Sequence, residues 1–173
     1  MKSAALLATL LAGCGYSTGL RLEPEYESIG VEVFGNESQM RDVERDLHVA
    51  LTRVVRDRVI APLEAPSRAD LVVRGDVLEV RFRPGIRTTG NQQVESGLIV
   101  RARASLWDPG AEKLVTGPVM ATTQVGYTLD SPFGEQDARR RVMENLAERL
   151  VLDLMVSHGA GDDVGAPLHP PKR

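Results

Sequence analysis

Aromatic residues are scarce. Phe, Trp and Tyr together make 4% of the 173 residues, which argues against a stacking surface for nucleic-acid bases or sugar rings. Cysteine is scarcer still: Cys14 stands alone, so no disulfide forms within the chain and the fold rests on packing. The three histidines, His48, His158 and His169, show no metal-ligand spacing, and no His-Glu-x-x-His run occurs. No metal and no cofactor is therefore expected. After Leu11 there is no long apolar run, so the sequence offers no second membrane segment. A formal net charge of −3 is too small and of the wrong sign for general nucleic-acid binding. These absences leave an enzyme poorly supported. Asp162-Asp163, in a Gly/Pro-rich stretch, has no rigid frame to hold a site.

What is present is an ordinary globular composition, 42% apolar and 26% charged, behind a distinctive N-terminus. Lys2 precedes an apolar run from Ala4 to Leu11, and small residues follow it, ending in Leu11-Ala12-Gly13-Cys14. That run is too short to span a bilayer and has the build of a secretory signal peptide. The Leu-Ala-Gly-Cys order resembles the bacterial lipobox. The resemblance implies that the Cys14 thiol is acylated, that residues 1–13 are removed, and that the new N-terminus is acylated as well. Ala12 and Gly13 are small enough for a peptidase to approach the backbone. Two or three acyl chains anchor far more firmly than one, since each buried methylene is worth about 0.8 kcal/mol. Gly15, where an Asp often marks inner-membrane retention, points to the outer membrane.

Without the leader, 160 residues remain, enough for one compact domain. Residues 14–28 read as the lipidated end and a tether, since Thr18–Glu27 is polar, holds Pro24 and carries no period. Alternation predicts a strand at Ile29–Phe34, and Gly35-Asn36-Glu37-Ser38 supplies turn and cap residues. An amphipathic helix is predicted from Gln39 to about Ile60, with Val43, Leu47, Leu51, Val54, Val55 and Val59 on one stripe. A long strand over Ala69–Phe82 changes phase, because Leu71, Val73 and Val77 share one parity and Leu78, Val80 and Phe82 the other. A bulge near Val77 and Leu78 reconciles the two. Val94–Trp107 and Leu114–Tyr127 read as an antiparallel pair around Asp108-Pro109-Gly110, with Pro118 marking an edge or a bulge. A second helix starts at Ser131-Pro132 and runs to about Val156, with Ala138, Val142, Leu146, Leu150 and Leu154 as its apolar stripe. Residues 158–173 form a Gly/Pro/Asp tail, expected to be disordered. The expected fold is α+β: two helices on one face of a roughly four-stranded mixed sheet, in the order β-α-β-β-β-α over residues 29–157.

The lipobox cysteine with Gly15-Tyr16, a strand starting near Ile29 and ending in Phe34-Gly35-Asn36, a first helix of this length, the strand with Leu71, Val73 and Gly75, and a closing helix after Gly134 together resemble the LPS-assembly lipoproteins, the LptE family. The resemblance spans about residues 14–156. It implies an outer-membrane lipoprotein, without enzymatic activity, that plugs a large β-barrel partner (LptD) and assists placement of lipopolysaccharide in the outer leaflet. The alternative is a periplasmic lipoprotein serving as scaffold or pilot for another envelope secretion or cell-wall machine.

One electrostatic constellation stands out. Between Arg68 and Arg103 seven arginines face four carboxylates, a positive stretch in a negative protein. Strand parity puts Arg74 beside Asp76, Arg81 and Arg83 beside Glu79, and Arg101 beside Arg103, with Arg87 in the following loop. The planar guanidinium fork binds two phosphate oxygens at once. Since lipid A carries phosphates, Arg74, Arg81, Arg83, Arg87, Arg101 and Arg103 are the candidate contacts; the competing reading is a solvated face balanced by its carboxylates. Arg139-Arg140-Arg141 reads as a solvated helix face or as a match to an acidic barrel wall.

Overall fold

The computed structural model describes residues 19–87 and 89–159. Cys14, the leader, and the tail beyond residue 159 lie outside the described residues, and the expectations made for them go with them.

Eight elements follow in order: β1 (Ile29–Val31), β2 (Gly35–Asn36), α1 (Val43–Arg58), β3 (Leu63–Glu64), β4 (Leu71–Pro84), β5 (Glu95–Asp108), β6 (Lys113–Thr128) and α2 (Gly134–Gly159). The sheet runs β3-β1-β4-β5-β6, and β2 continues the line of β1 along β4. β1 is parallel to β3 and β4, whereas β4, β5 and β6 form an antiparallel meander. The α+β class and the two helices on a mixed sheet agree with the sequence. The strand count is six among the described residues rather than about four, because β2 and β3 are two-residue pairings too short to show a period.

Both predicted helical stripes are buried. Val43, Leu47, Leu51, Val54 and Val55 of α1 and Ala138, Val142, Leu146, Leu150 and Leu154 of α2 share one core with Leu71, Val73 and Val77 of β4 and Leu98, Val100, Ala102, Ala104 and Leu106 of β5. The predicted bulge is present: pairing passes from Val77 opposite Ala102 to Glu79 opposite Arg101, leaving Leu78 as the extra residue. Beyond it Val80 and Phe82 lie opposite Val100 and Leu98 on the helix side. The ion pairs Asp46–Arg139, Arg53–Glu144 and Arg58–Glu148 advance together along both helices, so α1 and α2 run parallel and end at the same end of the molecule.

Five boundaries differ from expectation, one being the start of α2 at Gly134 rather than Ser131-Pro132, which lie in the turn before it. α1 begins at Val43, not Gln39, because a turn consumes the residues before it. Asn36 Oδ1 accepts from Ser38 N at 2.9 Å, and Asn36 Nδ2 donates to Met40 O at 2.8 Å. Asp42 then precedes the helix at φ 63° without a side-chain cap. The alternation from Ile29 fails after Val31, where Val33 is exposed and Phe34 is buried. The stretch read as a tether is held from Gly19 onward: Leu20 bridges Val59, and Tyr26 is buried in the core. Finally, α2 extends to Gly159, so His158 is a buried helical residue and not the start of the tail.

Candidate functional site

Both helices cover the same side of the sheet, and among the described elements none packs on the other. Pairing register decides what that open face carries. Across β4 and β5 the rows are Arg74 opposite Ser105, Asp76 opposite Arg103, Glu79 opposite Arg101, Arg81 opposite Ile99 and Arg83 opposite Gly97. The bulge at Leu78 keeps Glu79, Arg81 and Arg83 on the face of Arg74 and Asp76; an unbroken strand would turn them into the core. Five of the six candidate arginines therefore share one surface. Arg87 sits beyond its end, in the β4–β5 loop, where its Nη1 donates to Asn91 Oδ1 at 2.9 Å.

The carboxylates on this face are largely engaged. Arg103 donates from Nε to Asp76 at 2.8 Å and from Nη2 to Glu37 at 3.0 Å. The bond to Asp76, with the charges of Asp76 and Glu37, raises the Arg103 guanidinium further above its ordinary value. Glu79 lies between Arg81 Nε at 3.6 Å and Arg101 Nε at 3.8 Å. Arg74 is stacked over Trp107, its Cζ 3.6 Å from the ring centroid, a cation–π contact. Arg83 has no carboxylate within 4.0 Å among the described residues. A groove of about 470 Å³ between β1/β2 and β5 is lined by Glu32, Val33, Arg74, Asp76, Arg103 and Ser105. Its two arginines face two carboxylates, so it is electrostatically balanced. The partners of Arg103 and Arg74 were not legible from spacing, because Glu37 comes from another element and Trp107 depends on register.

The remaining candidates fall elsewhere. Arg139 pairs with Asp46 across the helices, Arg140 with Asp137 and Glu144, and Arg141 with Asp137. Arg140, through its bond to Asp137, holds that carboxyl below its ordinary range. The triple arginine is thus satisfied within the chain. His48 is half-exposed, its Nδ1 3.4 Å from Glu32 O. His158, absent from any sequence-based site, is buried beside Glu23 and Tyr26. Burial, with Glu25 nearby, pushes the Tyr26 phenol up to about 12. Among the described residues no cluster of three or more His, Cys, Asp or Glu is placed to hold a metal, and no helix is long and apolar enough to cross a membrane. Gly15-Tyr16-Ser17-Thr18-Gly19 has the spacing of a Gly-x-Ser-x-Gly nucleophile elbow. An elbow needs a helix directly after it, whereas Gly19 leads into the Leu20–Val59 bridge and α1 starts only at Val43.

Comparison with known proteins places this geometry. The chain matches the family model LptE, described as lipopolysaccharide-assembly, over residues 26–154. No curated protein matches it. Among solved structures it is similar to the PelC dodecamer from Paraburkholderia phytofirmans, at 16% identity and a TM-score of 0.50, covering 77% of this chain and 92% of that one. It is also similar to the hypothetical protein CT253 from Chlamydia trachomatis, at 7% identity and a TM-score of 0.50, covering 79% and 99%. For the rare lipoprotein B from Shewanella oneidensis the values are 15%, 0.44, 73% and 96%. At such identities the likeness is one of fold.

Proposed function

The chain belongs to the LptE lipopolysaccharide-assembly family, and from that premise we propose that it is a non-enzymatic lipoprotein of the outer membrane, anchored through Cys14, that assembles with an LptD-like β-barrel, plugs its lumen and assists insertion of lipopolysaccharide. The family match over residues 26–154 carries this reading, because it spans both helices' core and all six strands. The chemistry of the surface supports it. Barrel lumens are polar, and the open sheet face offers arginines and carboxylates in ionic pairs. In this reading residues 1–13 are the leader, residue 14 onward is the mature protein, and Arg74, Arg81, Arg83, Arg87, Arg101 and Arg103 are the phosphate contacts. Arg83, which has neither a carboxylate nor a side-chain hydrogen-bond partner among the described residues, is the most available of the six.

The test is purification from detergent-solubilised outer membrane. A large β-barrel protein recovered in stoichiometric amount supports the reading. Recovery of a different envelope machine without a barrel favours the scaffold or pilot alternative. Cys14→Ser is expected to leave the protein unprocessed or soluble; a variant still processed and still in the outer membrane overturns the anchor.

A further inference from the structure

We propose that the free edge of β6 is a docking site for an extended segment of the barrel partner, which adds to the sheet as one more strand. The proposal rests on the barrel-plug reading. It goes beyond that reading by naming the element that meets the partner and the backbone bonds that hold it.

The first observation is which edges the sheet leaves open. β6 is hydrogen-bonded to β5 alone and stands at one end of the strand order. At the other end lies β3, two residues long, and β2 beside β4 is equally short. Pairings of that length offer no template for a further strand, whereas β6 has 16 residues.

The second is how little protects most of that long edge. Monomeric proteins blunt long edges with charges, prolines or bulges. The first part of β6 has all three: Lys113, Pro118 and register shifts against β5 around Leu106. From Val119 to Thr128 there are none. That stretch holds no charged residue and no proline, and its pairing with β5 runs unbroken from Ala104–Val119 to Glu95–Thr128. At the rise of an antiparallel strand it spans about 34 Å.

The third is the direction of the backbone groups. Leu129 N donates to Val94 O at 3.0 Å, so odd-numbered residues here turn their N–H and C=O towards β5. Gly126 O accepts from Arg141 Nη2 of α2 at 3.4 Å, so even-numbered residues turn theirs away. Met120, Thr122 and Gln124 therefore present outward donors and acceptors, for which the described residues supply no partner strand.

Continuity with the open face identifies the occupant. Met120, Thr122 and Gln124 lie opposite Arg103, Arg101 and Ile99. A strand added at β6 thus extends the same face that the plug reading turns to the barrel. The wall of a closed barrel has no unpaired edge, so the added strand is a segment of barrel chain folded into the lumen. Main-chain bonds supply the affinity, and the neutral row beside the segment calls for uncharged side chains on it.

The test compares proline with serine at outward-facing positions, in lipoprotein co-expressed with its barrel partner and purified from outer membrane. Thr122→Pro and Gln124→Pro each remove an N–H that β5 does not use. Both are expected to keep a cooperative melting transition and to recover several-fold less barrel than the parent. Thr122→Ser and Gln124→Ser keep the N–H and are expected to recover barrel as the parent does. Hydrogen exchange of the parent over residues 119–128 is expected to be several-fold slower in the complex than in the isolated protein. Exchange unchanged on complex formation overturns the proposal and leaves the plug reading standing, as do folded proline variants that recover the barrel in full. If the proline variants lose their melting transition, the exchange measurement decides alone. Protection already present in isolated protein that self-associates also overturns it, because the occupant is then a second copy of this chain. A parent that recovers no barrel removes the plug reading and this proposal with it.

Discussion

Asp70 is a surface residue that stitches the N-terminal segment to the sheet. Its Oδ2 accepts from Glu27 N at 3.0 Å and from Ser28 N and Ser28 Oγ at 2.9 Å, while Asp70 N donates back to Ser28 Oγ at 3.0 Å. The Glu27 and Ser28 bonds hold its carboxyl below the ordinary range, because donors aimed at a carboxylate favour its charged form. A depressed folded pKa contributes stability above the unfolded value, and that contribution disappears as pH falls through the folded value. Asp70→Ala is therefore expected to lower the melting temperature at pH 7. The gap to the parent should begin to narrow below the ordinary aspartate value of about 3.9 and close at more acidic pH. Melting curves from pH 7 to pH 2.5 measure it; a gap independent of pH would show that the ionised carboxylate is not the source. The residue joins segments 42 positions apart, which is why spacing alone gave no sign that Gly19–Ser28 belongs to the fold rather than to a free tether.

At the level of elements, the bulge in β4 decides which side chains face outward. Leu78 is the extra residue between the Val77–Ala102 and Glu79–Arg101 pairs. Deleting it leaves Val77 inward, Glu79 outward and Val80 inward, so every later residue keeps its side. Deleting Val80 instead sends Arg81 and Arg83 into the core and Phe82 to the open face. Removal of Leu78 is expected to preserve a cooperative thermal transition, while removal of Val80 abolishes it; the reverse ranking would refute the bulge assignment. This device was legible in the sequence because apolar parity switches over a fourteen-residue strand, and the two helical stripes were legible for the same reason of length. Two-residue β2 and β3 hold no period to read. The start of α1 was displaced by an Asn36–Ser38 turn that competes with the helix for the same residues. The arginine face was legible in its members but not in its partners: Arg103 takes Glu37 from beyond β2, and Arg74 takes Trp107 through register.

Taken whole, the molecule is a sheet with one side closed by parallel helices and the other open, and its open side poses a choice between structural pairing and ligand binding that whole-protein measurements can decide. Arg103 is a poor probe, because Arg103→Glu would place a third carboxylate beside Asp76 and Glu37 and cost stability through repulsion. Loss of binding in that variant would report the fold as much as the ligand. Arg83 is exposed, lies on the same face opposite Gly97, and is free of carboxylate partners among the described residues. Arg83→Glu is expected to leave the melting temperature nearly unchanged, since exposed substitutions usually stay within about 0.5 kcal/mol. If the face contacts phosphate, the same change should weaken retention of lipopolysaccharide roughly threefold or more, with a larger effect at low salt, as befits an exposed charge. Arg81→Glu, beside Glu79, should act in the same direction with a small loss of stability. Retention unaffected by both reversals would show that Arg81 and Arg83 do not hold the lipid phosphates, and the open face would then serve the barrel wall through its Arg–Glu pairs, with the lipid phosphates bound elsewhere.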